Sequence, residues 1–152
     1  MSYLEVRHNI EVAHRLFDLK GKCEAIHGHS MWVTMRLHGH INTSGVLEGL
    51  DFGGVKKHFR EYLDTHYDHK LLLNEKDPWA QPLRGQATES TIEGVDYLPG
   101  LVQVPGDPTT ENIARWVAKW SIAIFGLAVD VHVQETHVNG AGFSLKGYRN
   151  GS

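Results

Sequence analysis

The chain has 152 residues, 41% of them hydrophobic, with a formal net charge of −3 and one cysteine. That is enough for one packed domain spanning residues 1–152, and the near balance of acids and bases gives no electrostatic footprint for nucleic acid or an anionic membrane. No apolar run reaches the roughly 18 residues needed to cross a bilayer and the amino terminus carries no signal pattern, so the expected setting is soluble and cytoplasmic.

From Tyr3 to Leu16 the residues Leu4, Val6, Ile10, Val12 and Leu16 follow the alternating period of a half-buried strand. A second strand reads from His29 to His40, with Met31, Val33, Met35 and Leu37 on one face, after an aperiodic segment from Lys20 to Ile26. Asp51-Phe52 leads into a helix in which Val55, Phe59 and Leu63 recur every fourth residue. A second helix starts near Pro108-Thr-Thr-Glu-Asn, carries the stripe Ile113, Trp116, Val117, Trp120 and Ile124, and stops at Gly126. Two closing strands, 128–136 and 142–148, are joined by Asn139-Gly140. The order is ββααββ. Between Asn74 and Asp107 lie four prolines and no clear period, which reads as an elaborated surface loop with a short hairpin around 97–104.

His27-Gly28-His29 places two imidazoles on one side of an extended chain. Antiparallel pairing with His14 opposite about His29, and Leu4 opposite about Gly39, brings a third to the same end. Three neutral imidazoles favour zinc and leave a coordination position for substrate. A rival pair, His38-Gly39-His40, lies about 30 Å further along an extended chain and cannot share the ion. Three roles stay open for Cys23 at this point: fourth ligand of a closed site, thiolate beside an open one, or plain buried cysteine. Asp68-His69 is a pair able to orient a proton relay, and equally an ordinary solvated dipeptide. Glu135 extends the apolar row Val129, Val131, Val133, where a carboxylate needs a partner unless the strand has emerged into solvent. Thr109, Thr110 and Glu111 read first as a helix cap.

Together, Val12-Ala13-His14, Cys23-x₃-His27-Gly28-His29, Leu47-x₃-Asp51-Phe52, Asp68-His69-x₃-Leu73-Asn74, Pro108 to Asn112 and Glu135-Thr136 resemble the 6-pyruvoyl- and 6-carboxy-tetrahydropterin synthase family over nearly the whole chain. The resemblance implies an α+β tunnelling fold, with a four-stranded antiparallel sheet and two helices on one face, assembled as a homohexamer built from two trimers. It further implies zinc on His14, His27 and His29, Cys23 as the base, Asp68 and His69 as its relay, and Glu135 as anchor of the pterin ring with Thr109, Thr110 and Glu111. The implied substrate is 7,8-dihydroneopterin triphosphate. The Cys-x₃-His-Gly-His spacing resembles the queuosine-pathway branch, which makes 6-carboxy-tetrahydropterin. Glu24 stands where a folate-pathway branch carries its catalytic glutamate, so a second, side-chain-cleaving activity is a further expectation.

Overall fold

The computed structural model describes residues 1–83 and 100–147. Strands β1 (Ser2–His14) and β2 (His27–Gly39) form a long antiparallel pair in which His14 faces His27 and Leu4 faces Leu37. The register therefore differs by two residues from the expected one. A shift of two keeps every side chain on its face, so the expected grouping of residues survives. Strand β5 (Ala128–Gln134) pairs antiparallel with β2, and β6 (Gly140–Leu145) with β5.

Helix α1 (Phe52–His66) opens on Asp51, whose carboxylate accepts from the Gly54 N–H at 2.9 Å. Helix α2 (Thr110–Phe125) opens on Thr109, which accepts from the Asn112 N–H at 3.1 Å, and ends on Gly126 in the left-handed region at φ 68°. Both caps satisfy helix-end backbone groups. The two helices lie on one face of the sheet. There Val55, Phe59 and Leu63 of α1 and Ile113, Ala114, Val117, Ala118 and Ile122 of α2 share one core with the even row of β1 and the odd rows of β2 and β5. Ile124 departs from its expected stripe and is 50% exposed, while Ser121 and Ile122 turn inward instead.

The expected four-stranded sheet is corrected to six strands in the order β4-β3-β1-β2-β5-β6. Strand β3 (Lys70–Asn74) pairs parallel with the end of β1, and β4 (Leu101–Val104) pairs parallel with β3. Lys-Leu-Leu-Leu-Asn has no alternation because Leu72, Leu73 and Asn74 are all buried, so its period carried no strand signal. Val104 belongs to a parallel pair rather than the expected hairpin, whose residues 97–99 lie outside the described ones. The Asn74–Asp107 connection is therefore partly ordered structure, with helical backbone at 80–83 as well as β4. Among the described residues no helix is long and apolar enough to cross a membrane.

Candidate metal centre and active site

Three core rows of the sheet end together. His14 is the last residue of the buried row Leu4, Val6, Ile10, Val12; His27 and His29 precede Met31, Val33, Met35 and Leu37 on the inward face of β2; Glu135 follows Val129, Val131 and Val133. The alternation that builds the core thus also aims these groups at one point. A side chain on Gly28, between the two histidines, would approach the Val12 carbonyl oxygen to 3.2 Å, so the smallest residue suits this close pairing of β1 and β2.

Ligand nitrogens of His14, His27 and His29 all lie within 4.8 Å of one another. His14 Nδ1 is 2.8 Å from the Pro108 carbonyl and His27 Nδ1 is 2.7 Å from the Ala25 carbonyl. A carbonyl only accepts, so each Nδ1 carries the proton and each Nε2 is left with a lone pair. Those two Nε2 atoms face each other at 3.1 Å. Two lone pairs at that distance repel unless a cation lies between them. Bonds of about 2.0–2.1 Å to a tetrahedral zinc would set ligand nitrogens about 3.3–3.4 Å apart, close to the spacing observed. The donor set therefore fits a metal ion, with Pro108 and Ala25 as the groups that orient two of its ligands. Burial of His14 pushes its pKa below 6.5; the Pro108 bond and Glu135 oppose this, while His27 and His29 add to it. Neutral imidazole is the form a metal requires.

Glu135 Oε1 is 3.7 Å from Nε2 of both His14 and His29, and accepts from the Thr110 hydroxyl at 3.0 Å. Beside it opens a cleft of about 420 Å³, lined in part by His29, Trp32, Glu135, Thr136 and His137. Trp32 and His137 had no signal in the sequence, because an exposed aromatic on an alternating strand and a loop histidine look ordinary. Pro108 was likewise visible only as a helix-start residue. Thr110 is thus tied to Glu135, whereas Thr109 is occupied as the cap of α2 and Glu111 is exposed in its first turn.

Cys23 is exposed on a short 3₁₀ turn, Lys22–Glu24, which removes the buried-cysteine role. It is not among the residues that converge as potential ligands. The Glu24 carboxylate lies 3.8 Å from both Arg15 Nη2 and Lys20 Nζ. Asp68 and His69 form a pair at 2.7 Å, with Asp68 accepting from the Glu11 N–H at 2.8 Å and the His69 side chain 78% exposed. Burial pushes the Asp68 carboxyl up, but the Glu11 and His69 bonds outweigh it and hold it below its ordinary value. The Asp68 bond is to the backbone N–H of Glu11, three residues before His14 along β1 and on the side where β3 pairs, so this pair sits at the flank of β1 and not among the three converging histidines.

A one-sided α+β sheet whose core rows end in three imidazoles and a carboxylate beside a cleft has the outline of a metal-assisted enzyme. Sequence comparison places it more closely: residues 3–145 match the family described as 6-pyruvoyl tetrahydropterin synthase, and the chain belongs to that family. It is similar to the 6-carboxy-5,6,7,8-tetrahydropterin synthases of Rickettsia bellii, at 31% identity over 71% of each chain, and of Rickettsia typhi, at 27% over 71% of each. In fold it is similar to an uncharacterized protein from Wolinella succinogenes, with TM-score 0.72, 22% identity and coverage of 95% of this chain and 99% of the other. A catalytic-residue mutant of Plasmodium vivax 6-pyruvoyltetrahydropterin synthase aligns with TM-score 0.69 and 20% identity over 95% and 98% of the chains. The protein is accordingly an enzyme of the pterin-synthase class.

Proposed function

We propose that the protein converts 7,8-dihydroneopterin triphosphate to 6-carboxy-5,6,7,8-tetrahydropterin, releasing acetaldehyde and triphosphate, as a zinc-dependent step in making queuosine-type 7-deazaguanines. The observation that carries this reading is the convergence of His14, His27 and His29 beside Glu135 at the mouth of a cleft. The names of the similar Rickettsia proteins support the choice of product.

In this reading His14, His27 and His29 hold the zinc ion, which when bound supplies Lewis acidity toward the side-chain hydroxyls of the substrate. Glu135 accepts the paired N–H groups of the pterin ring, and the Thr110 hydroxyl fixes its orientation through Oε1. Thr109 and Glu111 frame the same helix start. Cys23, exposed and outside the ligand set, removes the proton from the side-chain carbon next to the ring. Asp68 and His69 relay that proton, and their place beside Glu11, outside the histidine cluster and with the His69 side chain exposed, supports an active site completed by a second chain in a homohexamer. The Glu24 carboxylate lies 3.8 Å from both Arg15 and Lys20, and its engagement with those two cations argues for one product rather than two.

Incubation of the zinc-loaded protein with 7,8-dihydroneopterin triphosphate, followed by mass spectrometry of the pterins, tests the proposal. The 6-carboxy product should dominate and disappear in Cys23→Ala while bound zinc stays; a 6-pyruvoyl or 6-hydroxymethyl pterin as main product would replace the reading. Sedimentation at assay concentration tests the assembly, and a stable monomer would remove the shared site.

A further inference from the structure

We infer that Arg15 is a positioning residue for Cys23: its buried guanidinium grips the turn that carries the thiol, setting turnover without taking part in metal binding. The inference rests on the reading of Cys23 as the base. Arg15 follows the ligand His14 directly, yet its side chain is only 5% exposed. A buried cation is costly unless its donors are matched, and here the matches all lead to two segments. Nε donates to the Glu24 carbonyl at 2.7 Å, and Nη2 lies 3.8 Å from the Glu24 carboxylate. On the other side Nη1 pairs with Asp77 Oδ1, and the guanidinium lies over the Trp79 ring at 4.0 Å.

The turn needs such a grip. Lys22–Glu24 is three residues long, has no side-chain cap and buries none of its residues, so nothing of its own fixes it in place. Two carbonyls tie it down: Cys23 accepts from the Leu16 N–H at 2.9 Å and Glu24 from Arg15. Asp77 is itself fully buried, and its Oδ1 also accepts from the Trp79 N–H at 2.9 Å just beyond β3. The earlier part of the same loop has a different anchor, since Asp107 accepts from the N–H groups of Phe17, Asp18 and Leu19. The hydrogen bonds of the Asp77–Arg15 pair therefore reach the thiol-bearing half, while toward the earlier half Arg15 only lies over the Phe17 ring at 5.8 Å. Arg15 touches none of the three histidines' ring nitrogens, whose partners are Pro108, Ala25, Glu135 and each other.

Arg15→Lys and Asp77→Asn in the zinc-loaded full-length protein test this, because the chain's single cysteine makes thiol alkylation a direct report on Cys23. Expected in each variant are unchanged zinc content, KM within about twofold and kcat down by about tenfold or more. Amide exchange at 22–25 should quicken by about tenfold, and the double variant should be no worse than the more affected single one. Retention of wild-type kcat by both variants overturns the proposal. So does loss of zinc in step with kcat, which would make Arg15 a support for His14 instead. If Arg15→Lys fails to fold, Asp77→Asn decides by the same measures. Should the wild-type protein not turn over the pterin triphosphate, the reaction reading falls; the grip on the turn still stands or falls on exchange and alkylation.

Discussion

Strand β2 carries the same tripeptide motif near both ends, His27-Gly28-His29 and His38-Gly39-His40, and the structure uses only the first to gather imidazoles. The difference is parity. His29 and His38 are separated by an odd number of residues, so they point to opposite faces of the sheet. His29 faces inward with the core row, beside His14 and Glu135. His38 faces outward, where its Nε2 meets Asp130 at 2.6 Å beneath Tyr3, and His40 lies exposed past the end of the strand. A partner strand that ends in another histidine converts the first pair into a donor set; at the second, Asp130 lies diagonally across from His38 on β5 and gives that imidazole an ordinary hydrogen-bond partner. Asp130 is correspondingly held below its ordinary value, by the Ser144 bond first and, against the opposing effect of burial, by His38.

Removing one histidine from each end of β2 should separate the two motifs most strongly. His27→Ala should lower zinc affinity by more than about a hundredfold, as judged by metal analysis after dialysis, whereas His38→Ala should stay within about threefold of wild type. Equal loss in both would mean that the two ends of β2 do not differ as described. Of intermediate size is Glu135→Gln, which keeps the shape and the Thr110 contact but removes the charge next to His14 and His29. Its KM for the pterin triphosphate should rise about tenfold, the worth of one charge-assisted hydrogen bond, with zinc retained. An unchanged KM would release Glu135 from the role of ring anchor.

The smallest effect concerns the metal-free protein. His14 has a lowered pKa in the fold, so the unfolded chain binds the proton more readily. Stability from neutral His14 is then present above 6.5 and is lost as pH falls below that value toward the depressed one. The slope contributed is at most about 1.4 kcal/mol per pH unit. His66, lowered by burial and by Lys70, acts in the same direction, so the comparison is with His14→Gln. Thermal melts of the chelated protein should show a shallower acid loss in that variant; parallel curves would show that His14 does not titrate differently on folding.

The elements legible in the residue pattern are the amphipathic ones: the long pair β1–β2, both helices with the Thr109 cap, and, from alternation, the convergence of three histidines. The histidine cluster remained readable despite a register wrong by two, because such a shift leaves each residue on its face. The rest depends on contacts between segments that no local pattern marks. Strand β3 lacks alternation, so nothing local marks it until β1 offers an edge for parallel pairing, and β4, expected as part of a hairpin, pairs parallel with β3 instead. The separation of Asp68-His69 from the ligand end, the Pro108 and Ala25 carbonyls that fix the imidazole tautomers, and the burial of Arg15 against Asp77 all join residues far apart in the chain or hidden in irregular segments. Periodicity records which side of an element meets the core. It does not record which single groups a loop carries across to that core, and in this protein those groups orient two of the three converging imidazoles and tie down the turn bearing Cys23.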